Sequence, residues 1–285
     1  MARQTAVLAC ALALGLTAPA PTRAAAAQAQ QPELAAPQTP LAPQTGLAPP
    51  QPAPPALSPA CEVPSADLAA PTALPNFAAA LQKRQRVTIL AIGSSSTSGT
   101  GASSAARSYP SQLEPILETA LKGEDVVIVN RGLPGEVADS AADRIRSEVA
   151  LARPDLVLWQ LGTNDALARV SARDFEATVR ETVRWLKDAG IDVVLIGLQY
   201  SPRLARDPAY GEIREALRRI ALEENVLYVS RYDAMRFIAQ RREGQPMMAT
   251  DGFHLNDLGY HCMAEHVAHA LIVSLFRKKT RPAEN

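Results

Sequence analysis

Val87-Thr88-Ile89-Leu90-Ala91-Ile92-Gly93-Ser94-Ser95-Ser96-Thr97-Ser98-Gly99 is the stretch on which the fold turns. Apart from Thr88, the first six residues are apolar at successive positions, and they run straight into a glycine and a cluster of hydroxyls. A half-exposed strand would alternate; an unbroken apolar strand is covered on both faces, as parallel strands between helices are. Residues 126–129, 156–159, 193–196 and 226–229 repeat the pattern. Between them, apolar residues recur at helical spacing over about 109–122, 136–152, 172–189 and 210–224, and a last helical stretch covers about 257–277. Strands alternating with helices in this rhythm predict an α/β fold: a three-layer α/β/α sandwich on a doubly wound, parallel, five-stranded sheet of flavodoxin-like order.

Outward from this core, composition changes. Arg3 precedes an unbroken apolar or small run from Thr5 to Leu16, followed by Ala-x-Ala sites between Arg23 and Ala29. That run is shorter than the ~20 residues a membrane-spanning helix needs, so 1–29 reads as a cleavable export signal. The expectation is a periplasmic or secreted protein with no transmembrane anchor in the mature chain. Residues 30–60 are almost entirely Pro, Ala, Gln, Leu and Thr, with ten of the 23 prolines between Pro32 and Pro59. Such a segment has too little apolar surface to offset its ordering entropy and is expected to be a tether. The folded unit is then 61–278, with a tail at 279–285. Loss of the leader removes Cys10 and leaves Cys61 and Cys262, which in an oxidising compartment are a candidate disulfide pair. Lys plus Arg and Asp plus Glu both number 29, and the basic residues lie scattered on helices, so no nucleic-acid partner is expected.

Parallel sheets carry their sites at the carboxyl ends of the strands. The four loops there hold Gly93–Gly99 with its serines, Arg131-Gly132-Leu133-Pro134-Gly135-Glu136, Gly162-Thr163-Asn164-Asp165, and Asp251-Gly252-Phe253-His254. These are the parts of acyl transfer. A serine hydroxyl attacks only when a base removes its proton, and histidine titrates in the working range. A carboxylate fixes the tautomer of that base, and backbone N–H groups or an amide hold the developing oxyanion.

In this order the four segments resemble the sequence blocks of the SGNH (GDSL-type) serine hydrolases, over about residues 87–270. Ile92-Gly93-Ser94-Ser95-Ser96-Thr97 resembles the family's Gly-Asp-Ser-Leu-Thr, which implies Ser95 as nucleophile and its N–H as an oxyanion donor. The second block implies Gly135 as another donor, and the third implies the side-chain amide of Asn164. The last resembles Asp-x-x-His, implying Asp251 and His254 as the remaining triad members. The resemblance implies an ester hydrolase that needs no cofactor and no metal, acting on small-molecule, glycan or lipid esters. Where the family carries Asp before the nucleophile this chain has Ser94, so the turn lacks that carboxylate and Ser94, Ser96 and Ser98 stand beside Ser95 as further candidates for the nucleophile.

Other readings compete. A phosphate loop at 93–101 would need a lysine, and none occurs between Lys83 and Lys122. Cys262, His266 and His269 share a helical face at a spacing that could hold zinc, the alternative being a half-buried face with Cys262 in a disulfide. Tyr200, Ser201 and Arg203 follow the fourth strand and are candidate pocket residues. An O-acyltransferase on the same triad, or a binding module on a catalytically silent scaffold, are the functional alternatives.

Overall fold

The computed structural model describes residues 54–83, 86–241 and 246–277. The expected export signal, most of the expected tether and the tail from 279 lie outside the described residues. Residues 54–60, which composition assigned to the tether, are laid along the last helix: Ser58 donates to Glu265 through both N–H and Oγ, at 2.9 and 3.0 Å.

Among the described residues six strands form one sheet: β1 (Ala69–Ala70), β2 (Arg86–Gly93), β3 (Asp125–Gly132), β4 (Leu156–Gln160), β5 (Asp192–Ile196) and β6 (Leu227–Val229). Their order across the sheet is β1-β6-β5-β4-β2-β3. β2 to β6 are all parallel, with Gly93 level with Gly132 on one side and Gln160 on the other. This is the flavodoxin-like order, and it carries the five strands predicted. The sixth, β1, is an antiparallel edge of two alanines beside β6, too short to leave a sequence pattern.

Among the described residues ten α-helices accompany the sheet: α1 (Ser65–Leu68), α2 (Pro75–Lys83), α3 (Ser95–Ser98), α4 (Tyr109–Ala120), α5 (Ala138–Ala152), α6 (Thr163–Leu167), α7 (Ala172–Asp188), α8 (Pro208–Glu223), α9 (Arg231–Arg241) and α10 (Asp257–Leu275). The strand pleat sorts the core into two layers. Ile89, Ala91, Leu156 and Leu158 face Leu113 and Leu117 of α4 and Val267 and Leu271 of α10. Leu90, Ile92, Val157 and Trp159 face α5, α7 and α8, meeting Ile145, Val179 and Leu217. Both faces are dry, which is why these strands carry no polar alternation. Each such side chain contributes about 1.5–3 kcal/mol by leaving water.

Pro208 opens α8 at the one helical position where a missing N–H costs nothing, with Asp207 accepting from Ala209 N as the cap. Asn256 caps α10 through Gly259 N at 2.9 Å. The Cys61 and Cys262 sulfurs are bonded, their Cα atoms 5.0 Å apart across 201 positions of sequence. Beside the bridge, the ring of His266 meets the Cys61 carbonyl at 2.6 Å, and that of His269 meets the Pro55 carbonyl at 3.1 Å. The helical face considered for zinc is thus occupied by a disulfide and two histidines bonded to the preceding chain.

Candidate active site

The switch point of the sheet, where the chain order reverses, lies between β2 and β4. There β2 ends at Gly93, whose φ is +148°. A Cβ on Gly93 would lie 2.4 Å from the Gln160 carbonyl and 2.7 Å from Thr97 Oγ1, so only glycine lets the chain turn this tightly. Ser94 then opens α3, and Ser95 sits at its first position, buried to 8% exposure. The Ser95 carbonyl accepts from Gly99 N and Thr100 N, both at 3.0 Å, closing the helix at once. The Ser95 N–H belongs to the first turn and has no carbonyl of its own helix to reach.

The carboxylate missing at position 94 has a neutral replacement. Gln160 Oε1, at the end of β4, accepts from Ser94 N at 3.2 Å, Ser94 Oγ at 3.0 Å and Thr97 Oγ1 at 3.3 Å. One buried amide oxygen therefore ties down the turn, and the site carries one negative charge fewer. Gln160 was not singled out from sequence; a lone polar residue closing an otherwise apolar strand was the available signal.

After β3, Gly132 passes directly under α3. A Cβ there would meet Ser98 N at 2.1 Å and the Thr97 carbonyl carbon at 2.6 Å. Asn130 locks the approach, donating to the Thr97 carbonyl at 2.8 Å and accepting from Gly132 N at 3.0 Å. Leu133 N donates to the Gly93 carbonyl at 2.8 Å, and Glu136 N returns to the Leu133 carbonyl at 3.2 Å around Gly135 (φ +82°). The loop is clamped from outside by Arg144. Its guanidinium grips Glu136 in bidentate fashion at 2.6 and 2.8 Å, and donates to the Arg131 carbonyl at 2.5 Å and to Glu148 at 3.3 Å. Hydrogen bonding to Glu136 raises the pKa of Arg144, with the Glu136 and Glu148 charges adding to it against the opposing effect of burial. Asn164, on α6, donates from Nδ2 to the Glu136 carbonyl at 2.9 Å. An amide NH2 has two protons, so this bond orients the group and leaves the second one for another acceptor. Asp165 is wholly structural: it accepts from Ala138 N at 2.8 Å and Gly162 N at 3.1 Å, while burial pushes its pKa up.

The fourth block is a tight turn. Asp251 Oδ1 accepts from the N–H groups of Phe253 and His254, both at 2.9 Å, and Oδ2 meets His254 Nδ1 at 2.6 Å. The bond to His254, and then the two backbone donors, hold the Asp251 carboxyl down to about 2. A carboxylate facing Nδ1 favours the tautomer with the proton there, leaving the Nε2 lone pair as base. Gly101, six positions after Ser95, brings the two halves together. Its Cβ position lies 2.8 Å from His254 Cβ and 2.6 Å from the Leu255 carbonyl. Tyr260 donates to the Thr100 carbonyl at 2.6 Å, and Ser103 donates to Asp257 through N–H and Oγ at 2.7 and 2.6 Å, so the loop leaving Ser95 is fastened to α10.

The Ser95 turn, the Gly135 loop, Asn164 and the Asp251–His254 turn thus follow the carboxyl ends of the strands. After β5, Tyr200 packs edge-on to Tyr232 at 5.3 Å, and Ser201 Oγ accepts from Leu204 N at 3.2 Å. Arg203 is exposed. Among the described residues no group of three or more His, Cys, Asp or Glu is placed to hold a metal ion.

Comparison with known proteins follows the same lines. A curated arylesterase of Vibrio mimicus is 26% identical over 172 residues, 59% of this chain and 80% of that protein. Among solved structures, a two-domain esterase active on acetylated mannans superposes with a TM-score of 0.62 at 19% identity, covering 79% of this chain and 60% of that one. An acetyl xylan esterase from Geobacillus stearothermophilus gives 0.56 at 22% identity, covering 69% of this chain and 97% of that one. Residues 60–276 match the non-GDSL lipase-like family. With that match over most of its length, the chain belongs to the non-GDSL lipase-like family.

Proposed function

We propose that this chain is an exported esterase that cleaves carboxylic esters through an acyl-enzyme on Ser95. The observation that carries the reading is the 2.6 Å contact of Asp251 with His254 Nδ1, in a turn packed against the loop that leaves Ser95. Ser95 Oγ attacks the ester carbonyl as its proton passes to His254 Nε2, and Asp251 stabilises the imidazolium. The N–H groups of Ser95 and Gly135 and the second amide proton of Asn164 receive the oxyanion. Collapse expels the alcohol, protonated by His254. A water, deprotonated by the same ring, then attacks the acyl-enzyme and releases the acid. Arg3 with the apolar run to Leu16 supports export. O-acetylated glycans, lipids and small acyl esters are the substrate classes this location and the esterase relatives favour.

The test uses the full chain with p-nitrophenyl acetate and butyrate, beside Ser95→Ala and a fluorophosphonate label. Turnover and labelling that both vanish in Ser95→Ala are expected. Labelling that persists in Ser95→Ala moves the nucleophile to a neighbouring serine and refutes the assignment. An added sugar acceptor that diverts the acyl group from water identifies a transferase instead.

A further inference from the structure

One charged side chain in the core is not explained by packing. Arg231 opens α9 and is 4% exposed, yet among the described residues no carboxylate pairs with it, and its Nε and Nη1 have no hydrogen-bond partner there. Burial lowers its pKa. A buried guanidinium in this condition works against folding. Among the described residues its side chain makes one specific bond: Nη2 donates to Gln199 Oε1 at 3.0 Å.

Gln199 follows β5 and is 2% exposed. A guanidinium can only donate, so it fixes which end of the Gln199 amide faces it. The other end, Nε2, is thereby turned to the Phe253 carbonyl and donates to it at 3.0 Å. Phe253 lies between Asp251 and His254 in the base turn. The backbone of Gln199 is locked as well: its carbonyl accepts from Tyr210 Oη at 2.6 Å, and its N–H donates to Thr163 Oγ1 at 3.4 Å, beside Asn164. The Asp251 carboxylate is half exposed, and the turn's remaining backbone ties are local, such as Ala249 N to the His254 carbonyl at 2.8 Å.

We propose that Arg231 and Gln199 are positioning residues that hold the Phe253 carbonyl, and through it the His254 ring, in register with Ser95 and Asn164. The proposal rests on the triad reading above. Arg231 sets the amide of Gln199, Gln199 sets the turn, and the turn sets the base. Misplacement of a reacting group by ~1 Å costs on the order of 100-fold in rate, so a strut of two hydrogen bonds is worth a buried cation.

The discriminating variant is Gln199→Glu. It keeps an acceptor for Arg231, now charged, but presents an oxygen to the Phe253 carbonyl where an N–H stood. Thermal stability is expected to hold, while kcat falls by about 10- to 100-fold with KM within about threefold, and the rate of fluorophosphonate labelling at Ser95 falls with kcat. Arg231→Met is expected to lose turnover similarly, and Arg231→Lys to recover most of it. A folded Gln199→Glu with kcat within twofold of wild type overturns the proposal. A fall in kcat matched by a lower melting temperature and a raised KM also overturns it, because that is loss of structure alone. Ser95→Ala run in parallel separates the two levels: if it abolishes turnover while Gln199→Glu does not, the triad stands and the strut fails. Should Ser95→Ala retain turnover, both fall together.

Discussion

Replacing Gly101 with alanine is the sharpest test of how Ser95 and His254 are brought together. Gly101 has φ +93°, a conformation that costs an L-residue about 1–2 kcal/mol. The new methyl would lie 2.6 Å from the Leu255 carbonyl and 2.8 Å from His254 Cβ. Contacts of this kind relax toward about 3.4 Å or more, so the loop after Ser95 and the base turn must part by over half an ångström, at an overpacking cost of about 1–3 kcal/mol. Neither side yields freely, since Thr100 is tied to Tyr260 and the His254 N–H to Asp251. The sum is about 3 kcal/mol of stability, a fall in Tm of roughly 6–12 °C for a domain of this size. Displacement of base from nucleophile on that scale is expected to reduce kcat by about 10- to 100-fold. Thermal melting and p-nitrophenyl acetate turnover, measured on the same preparation, check both numbers. A Gly101→Ala protein with wild-type Tm and wild-type kcat would refute the packing of the two segments, and with it the geometric basis of the triad.

Arg144→Lys exchanges a two-pronged clamp on Glu136 for a single point charge, so the turn around Gly135 loosens. A loss of about tenfold in kcat with little change in KM is expected from oxyanion donors out of line, and steady-state kinetics on an acetate ester decides it. The Asp251 carboxyl, held near 2, stays ionised from pH 4 upward. A depressed carboxylate gives its stabilising share in full above its ordinary value and loses it only as pH falls through the folded one. The Asp251 carboxylate should therefore stay ionised from pH 7 down to pH 4, and a titration of Asp251 between those values, followed by carboxyl NMR, would contradict the assignment. Reduction of the Cys61–Cys262 bridge, which spans 201 positions, should cost about 3–5 kcal/mol and lower Tm by roughly 10 °C while turnover at 25 °C persists. Melting with and without reductant measures it.

The parallel strands were legible because burial on both faces removes polar alternation, and β2, β4 and β5 carry that signature plainly. β1 was not, since two alanines have no pattern to show. α9 was missed for a different reason. Its buried face includes Arg231 and Asp233, so the polarity that normally marks a solvent-facing helix stripe sits inside. The same inversion concealed the parts of the site that hold rather than react. Ser95, Asn164, Asp251 and His254 stand in glycine-punctuated loops at strand ends, where their residue types suggest chemistry directly. Gln160, Gln199 and Arg231 act through hydrogen bonds to residues distant in sequence, and nothing local to any of them names its partner. Arginines spread along α5 and α8 resemble a solvated face, and only the fold shows which of them turns inward.

The covalent bridge has a mechanical reading. Between Cys61 and Cys262 lies nearly the whole catalytic domain, from α1 to the start of α10. Tension applied across the described chain, from residue 54 to residue 277, enters at Cys61 and crosses to Cys262 through the sulfur–sulfur bond. The loop in between, with the sheet and every residue of the proposed triad, is bypassed by the load. In a single-molecule stretching measurement the oxidised protein should lengthen only by its two short ends, and the full contour of the domain should be released only after reduction. The tie therefore acts as a strain relief, letting the chain be tugged from its N-terminal side without pulling the active site apart.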